Sequence, residues 1–240
     1  KAHLKQVRYL DEQPLAEGGM KNICKGNDAV TSREVAIAYL KESQQHHFSD
    51  FIKEARLNAR LQHPNIMTVY DIGVDDQNQA YFTMKLIEGE ELGAIIKRLK
   101  KACETEYDLQ QLLYIFLKIC EAIAFAHSKN ILHLDLKPEN IQVGKFGEVL
   151  VCDWGLAKDL RHVTTEINAP DILTNIDNLD INICSTLDGV VKGSPGYMAP
   201  EQAAGRNSEK DERTDVYSLG AILYSMLTYQ APISFTNIHE

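Results

Sequence analysis

The 240-residue sequence lacks several features that would settle its class at once. It has no excess of positive charge: 25 Lys and Arg stand against 34 Asp and Glu, a formal net charge of −9. A chain that grips nucleic acid by its phosphates needs a basic surface, so that class is disfavoured. It has no CxxC pair. Its cysteines, Cys24, Cys103, Cys120, Cys152 and Cys184, are scattered. An odd, unpatterned set suits a reducing compartment and argues against a disulfide framework or a zinc site. No apolar run approaches the roughly 20 residues of a membrane span, and no signal peptide is visible. The expectation is a cytoplasmic chain with no membrane segment of its own, whatever anchors a longer parent protein. Internal repeats and low-complexity tracts are also missing.

What is present is enough for a core. With 44% hydrophobic and 25% charged residues, the chain can build one sizeable globular unit or two lobes around a cleft. The first third reads as strands: Val7 to Ala16, Lys21 to Lys25 and Glu34 to Leu40, with a Gly18-Gly19 turn between the first two. Residues 50–62 read as a helix with Asp50 as N-cap, stopped by Pro64. Ile66 to Val74 and Gln79 to Leu86 read as two more strands. After Gly89 the character changes. Residues 109–128 predict a helix with Leu109, Leu112, Leu113, Phe116, Ile119, Cys120 and Ile123 on one stripe. Short strands are expected at 131–133, 141–143 and 148–152. Residues 159–192 are polar and irregular, long enough to suggest a functional loop. A last helix is expected from Thr214 to Leu227 on an apolar face of Val216, Leu219, Ile222, Leu223 and Met226.

Three segments carry chemistry: His133-Leu134-Asp135-Leu136-Lys137-Pro138-Glu139-Asn140, Asp153-Trp154-Gly155 and Ala199-Pro200-Glu201. In this order and spacing they resemble the catalytic loop, the metal-binding DFG element and the APE element of eukaryotic-type Ser/Thr protein kinases. Gly18-Gly19-Met20 and Tyr197-Met198-Ala199-Pro200-Glu201-Gln202 look most like bacterial members. The resemblance covers about residues 7–235. It implies an α+β, two-lobed kinase fold: a β-rich N-lobe over 1–88, a helical C-lobe over 89–240, and an activation segment over 153–201. Family members continue with further helices. The C-lobe is therefore expected to be truncated, with Glu201 lacking its usual arginine partner and apolar surface available for self-association.

The resemblance also implies ATP and Mg²⁺ as cofactors and a protein substrate docking near Ser194. Asp135 would accept or orient the substrate hydroxyl's proton, Lys137 would steady the transferring phosphoryl group, and Asn140 and Asp153 would hold Mg²⁺. Gly18 and Gly19 would lie over the phosphates, Ile23 and Ala36 above the adenine, and Gln142 below it. Met84 would be the gatekeeper, with Lys85 to Ile87 as the hinge and Glu90 near the ribose. Asp215 would anchor the catalytic-loop backbone. Trp154 stands where the family has Phe and is expected to pack.

The resemblance breaks at one telling place. Where the family reads Val-Ala-Ile-Lys, this chain reads Val35-Ala36-Ile37-Ala38. Of the pattern G-x-G-x-x-G, which falls on Ala16, Gly18 and Lys21, only the middle glycine remains. In with-no-lysine kinases a lysine at that third-glycine position replaces the strand lysine, and Lys21 matches it. Glu54 matches the glutamate that pairs with the phosphate-binding lysine. Three readings stay open: Lys21 as functional replacement, natural decay of the site, and a laboratory substitution at position 38. Leu134 replaces the arginine that would receive an activation-segment phosphate. The rival to an enzyme is a pseudokinase that scaffolds or senses nucleotide; a small-molecule kinase of the same fold is a third possibility.

Overall fold

The computed structural model describes residues 8–101, 107–161 and 189–233. The chain divides into two compact units, residues 1–62 with 67–88, and residues 63–66 with 89–240.

The first unit is built on strands β1 (Tyr9–Glu17), β2 (Lys21–Asp28), β3 (Arg33–Leu40), β4 (Val69–Val74) and β5 (Ala80–Lys85). They form one antiparallel sheet in the order β1-β2-β3-β5-β4. β3 occupies the centre, and Val35, Ala36, Ile37 and Ala38 are all buried. Alternation along the strand divides them. Val35 and Ile37 pack with Tyr9, flanked by Tyr39 and Tyr81, while Ala36 and Ala38 point to the other face. Edge strand β1 is exposed along almost its whole length, and Pro14 and two irregularities of register blunt it against further pairing. Arg8 ties the unit's start to its middle. Its guanidinium donates to Asp28 at 3.2 and 3.3 Å and also to Asp71.

Helix α1 (Phe48–Arg60) lies against β4 and buries Phe51, Ile52, Glu54, Ala55 and Leu57. It begins two residues earlier than the sequence suggests. Asp50 is not the N-cap; it sits in the first turn and accepts from His47 Nδ1 at 3.3 Å. There its charge still complements the helix N-terminus.

The second unit holds β6 (Gly89–Glu91), α2 (Leu92–Lys101), α3 (Leu109–Ser128), β7 (Ile131–Leu132), β8 (Ile141–Gly144), β9 (Val149–Val151), β10 (Lys158–Asp159) and α4 (Glu212–Thr228). Strands β6, β8 and β9 form one small sheet, β7 and β10 another. The β8–β9 hairpin turns at Gly147, whose φ of +85° favours glycine. Residues 63–66 join this unit through Asn65, which donates from Nδ2 to the Val149 carbonyl at 3.0 Å and accepts from Val151 N at 2.9 Å.

α3 starts on a reciprocal capping box. Asp108 Oδ1 accepts from Gln111 N at 2.7 Å, and Gln111 Oε1 accepts from Asp108 N at 2.8 Å. Its buried stripe is rotated from the expected one: Leu112, Ile115, Ile119, Ala122, Ile123 and Ala126 are inside, whereas Leu109 and Leu113 are exposed. By length and composition α3 is apolar enough to cross a membrane, which corrects the expectation that no apolar run approaches that length. It packs here against β7, β9 and α4 along its buried stripe. Its Lys118 and Glu121 pair with each other at 2.9 Å. Helix α4 buries Leu219, Ile222 and Met226 as expected, but Val216 is exposed. Thr214, Asp215, Ser218 and Ser225 take much of its inner face.

Of the polar stretch 159–192, residues 162–188 lie outside the described residues, as does that part of the expected activation segment.

Candidate active site

In the first unit, the register of β2 and β3 positions the candidate cation. Ile23 is opposite Ala38, and Lys21 is opposite Leu40. Directly paired residues share a face, so Lys21 lies on the same face as Ala38, one diagonal step away, about 7–8 Å. The lysine stem spans that offset. Lys21 Nζ lies 2.5 Å from Glu54 Oε1, with the Lys21 side chain 18% and the Glu54 side chain 5% exposed. The ammonium also sits 5.8 Å from the centre of the Phe82 ring, a cation–π distance. Phe82 is opposite Ala38 on β5, so the ring fills the side of the sheet that a lysine at position 38 would share. Ala38 itself is 0% exposed.

The glycine turn ahead of β2 closes by a hydrogen bond from Gly18 N to the Lys21 carbonyl at 2.8 Å. A Cβ on Gly18 would meet nothing closer than 3.5 Å, and one on Gly19 would meet nothing within 4 Å. Neither has the positive φ that excludes other residues. The fold alone does not demand glycine there. Ile23 and Met84 are half-buried, Ala36 is buried, and Ile87 lies in the stretch after β5.

In the second unit, Asp215 fixes the catalytic loop. Its carboxylate, buried on α4, accepts from His133 N at 2.8 Å and Leu134 N at 2.9 Å, and lies 2.8 Å from His127 Nε2. Held this way, Leu134 takes a φ of +65°, a strained conformation for a leucine. The turn aims Asp135 at a tight polar cluster. Ser194 Oγ donates to Asp135 Oδ1 at 2.7 Å, while Lys137 Nζ donates to Ser194 Oγ at 2.7 Å and to Asp135 Oδ2 at 3.1 Å. Asn140 Nδ2 donates to the Asp135 carbonyl at 2.8 Å and to Asp135 Oδ2 at 3.3 Å.

His133 braces the next segment. Its Nδ1 accepts from Asp135 N at 3.2 Å, which leaves Nε2 as the protonated nitrogen donating to the Cys152 carbonyl at 3.1 Å. Its ring lies 4.5 Å from the Trp154 ring. Trp154 is 1% exposed and packs as expected, but its Nε1–H is buried with no hydrogen-bond partner among the described residues. Between Cys152 and Trp154, Asp153 adopts a φ of +59°, in the left-handed region like Leu134.

The donor set suits Mg²⁺. Both side-chain hydrogen bonds of Asn140 use Nδ2, which leaves Oδ1 as an oxygen ligand. Cys152 N donates to the Asn140 carbonyl at 2.9 Å, which holds the residue before Asp153 against Asn140. Mg²⁺ commonly takes one or two protein oxygens and completes its shell with water and substrate phosphate. Among the described residues no group of three or more His, Cys, Asp or Glu could hold a metal by itself.

Two expected positions have engagements the sequence did not reveal. Glu90 is clasped by Arg98 through two hydrogen bonds, 2.5 and 2.8 Å, and the guanidinium holds its carboxyl below the usual range. Glu201 Oε1 accepts from Thr214 Oγ1 at 2.6 Å. Gln142 lies in β8 opposite Glu91 and Leu150, half-buried.

The family model described as "Protein kinase domain" matches residues 9–240. Among curated proteins, the chain is 38% identical over 245 residues to serine/threonine-protein kinase PknD of Protochlamydia amoebophila, covering 97% of this chain and 24% of that protein. It is 38% identical over 237 residues to the protein of the same name in Chlamydia trachomatis serovar D, covering 94% and 25%. The Chlamydia caviae protein of that name is 36% identical over 245 residues, covering 94% and 24%. The chain thus spans about a quarter of the length of these bacterial relatives.

Proposed function

Because this chain belongs to the protein kinase domain family and has its two-lobed fold, we propose that it transfers the γ-phosphate of ATP to Ser or Thr hydroxyls of protein substrates, with Lys21 as the phosphate-binding cation. The observation that carries the reading is the Lys21–Glu54 pair at 2.5 Å. A site in decay has no need to hold a lysine against a buried glutamate from a new strand. Phosphoryl transfer asks mainly for positioning and charge neutralisation. Lys21 supplies the charge as a compact ammonium, which binds phosphate from many directions. The absence of any demand for glycine at 18 and 19 supports a turn kept open for backbone approach to phosphates.

Asp135 takes the substrate hydroxyl's proton or orients it. Lys137 neutralises charge on the group in transit, and Ser194 bridges both residues near the docking segment for the protein substrate. Asn140 Oδ1 and the Asp153 carboxylate would hold Mg²⁺, and the ion would supply charge neutralisation for the phosphates. We assign the base to Ile23, Ala36, Met84 and Ile87 in the first unit and to Gln142 in the second. Glu90 would meet a ribose hydroxyl with the acceptor capacity that its Arg98 clasp leaves. A cytoplasmic location, an anchored parent and self-association through the exposed side chains of α4 and α3 are further parts of this proposal. Ala38, Ala16 and Leu134 favour the scaffold reading.

The test is transfer of labelled phosphate from Mg²⁺-ATP to a generic basic protein. Lys21→Met should lower kcat/KM at least tenfold, about 1.4 kcal/mol of transition-state stabilisation. A protein that binds ATP but transfers nothing, with or without Lys21, is a scaffold.

A further inference from the structure

Gln202 stands directly after Ala199-Pro200-Glu201, in a one-turn helix at Pro200–Ala203. It is 1% exposed, yet both polar atoms of its side chain are engaged. Nε2 donates to the Leu134 carbonyl at 2.7 Å and to the Lys192 carbonyl at 3.4 Å, and Oε1 accepts from Ala199 N at 3.3 Å. The two carbonyls only accept and the backbone N–H only donates, so the orientation of the amide is fixed. A buried amide satisfied by three backbone groups from separate places ties those places together.

Two of the three groups bracket the segment around Ser194 to which substrate docking is assigned. Lys192 precedes it and Ala199 follows it, so the amide closes residues 193–198 into a loop. Gly193 permits the closure. Its φ of +132° favours glycine, and a Cβ there would come within 3.2 Å of Gln202 Nε2. The next residue, Ser194, donates to Asp135 Oδ1 at 2.7 Å. The third group is the carbonyl of the Leu134–Asp135 peptide. His133 Nδ1 accepts from the N–H of that same peptide at 3.2 Å, so the plane leading into Asp135 is held at both edges. Gln202 thus reaches Asp135 by two routes, through the backbone and through Ser194. The middle of the loop is held separately by α4, where Ser218 Oγ donates to the Tyr197 carbonyl at 2.8 Å.

We propose that Gln202 is a positioning residue for the transfer. Its amide closes the docking loop and seats it on the catalytic loop, so that one side chain aligns the place where a substrate hydroxyl arrives with the carboxylate that meets it. This rests on the kinase reading above. The amide touches no reacting atom; it acts through the Leu134 carbonyl and through Ser194.

The experiment compares the whole chain with Gln202→Met. Methionine keeps the volume, so packing is largely retained, while two carbonyls and one N–H lose their partner. The value of kcat should fall at least about tenfold, because small misplacements of reacting groups cost that much or more. KM for ATP should stay within about twofold. Gln202→Glu should fare no better, because its carboxylate would face two carbonyl oxygens. In a Ser194→Ala background the effect of Gln202→Met on kcat should shrink at least about threefold, since one route is already cut. Backbone hydrogen exchange is read alongside, because it requires no transfer. Exchange at residues 133–136 and 192–199 should quicken while α3 and α4 keep their protection. If the parent transfers nothing, the kinase reading fails, and quickened exchange confined to those two segments still upholds the clasp. The proposal is overturned by a kcat within about twofold of an active parent, or by unchanged exchange in the two segments. Protection lost throughout α3 and α4 overturns it as well, because Gln202 would then support the whole unit rather than the alignment.

Discussion

Removing the Asp215 carboxylate should damage the catalytic loop more than any single change in the loop's own side chains. Asp215 is 0% exposed and accepts two backbone N–H groups, His133 N at 2.8 Å and Leu134 N at 2.9 Å. Asp215→Ala leaves both donors buried and unpaired, at about 1–3 kcal/mol each. The His127 contact at 2.8 Å is lost as well. Against this, Leu134 is released from its left-handed φ, which recovers about 1–2 kcal/mol. The balance is a loss of about 3 kcal/mol. Asp215→Asn retains one acceptor oxygen but sets an amide N–H₂ against a backbone donor, so about 2 kcal/mol should go. Activity should fall further than stability, because Asp135 loses its aim even in molecules that stay folded. Urea unfolding gives the first quantity and kcat under folded conditions the second. An Asp215→Ala protein within about 0.5 kcal/mol of the parent, with unchanged kcat, would refute the anchoring argument.

Other outcomes follow from the same contacts. Trp154→Phe removes the unpartnered indole N–H while keeping an aromatic ring against His133; unfolding free energy should change by less than about 1 kcal/mol, whereas Trp154→Ala should cost about 3–5 kcal/mol. The Arg8 hydrogen bond holds the Asp28 carboxyl down at about 2 from an ordinary 3.8, with Thr31 and the Val30 amide assisting. The stability it contributes is complete above the unfolded value and disappears as pH falls toward 2. Arg8→Met should therefore move the acid-unfolding midpoint to higher pH, and an unmoved midpoint counts against the pairing. ATP should raise the melting temperature with Mg²⁺ and much less with EDTA, and Asp153→Asn should abolish the Mg²⁺-dependent part; equal shifts with and without metal would remove Asn140 and Asp153 from a metal role.

How much of this was legible in the sequence depends on how local each signal is. The catalytic loop, the Asp153 turn and the Asp215 helix are contiguous runs, and the residues they bring together are those their order suggests. Helix α2 was missed, although Leu92, Ile95, Ile96 and Leu99 mark one buried face at helical spacing. Its short amphipathic run sits between a three-residue strand and a polar stretch, with no N-cap to announce it. The α3 stripe was misplaced because apolar residues nearly encircle that helix, and composition alone does not say which side meets β7, β9 and α4. The inner face of α4 was hidden for the opposite reason. Thr214, Asp215 and Ser218 are polar, and they are buried because they bond to Glu201, the catalytic-loop backbone and the Tyr197 carbonyl. The Glu90–Arg98 clasp spans eight positions from a strand to a helix, and only the missed α2 would have exposed it. Lys21 was legible only by resemblance. The β2–β3 register adds the physical reason: a lysine there shares the face of Ala38 and reaches Glu54.

The most direct test of the relocated cation is an exchange of positions. In the transfer assay, Lys21→Gly alone should lose at least tenfold in kcat/KM, and adding Ala38→Lys to it should restore part of that loss by returning the charge to β3 beside Glu54. Ala38→Lys in the parent should bring little gain, since Lys21 already occupies the glutamate. If instead the parent transfers no phosphate and Ala38→Lys alone switches transfer on, Lys21 is not the replacement, and position 38 is where a catalytic lysine was lost.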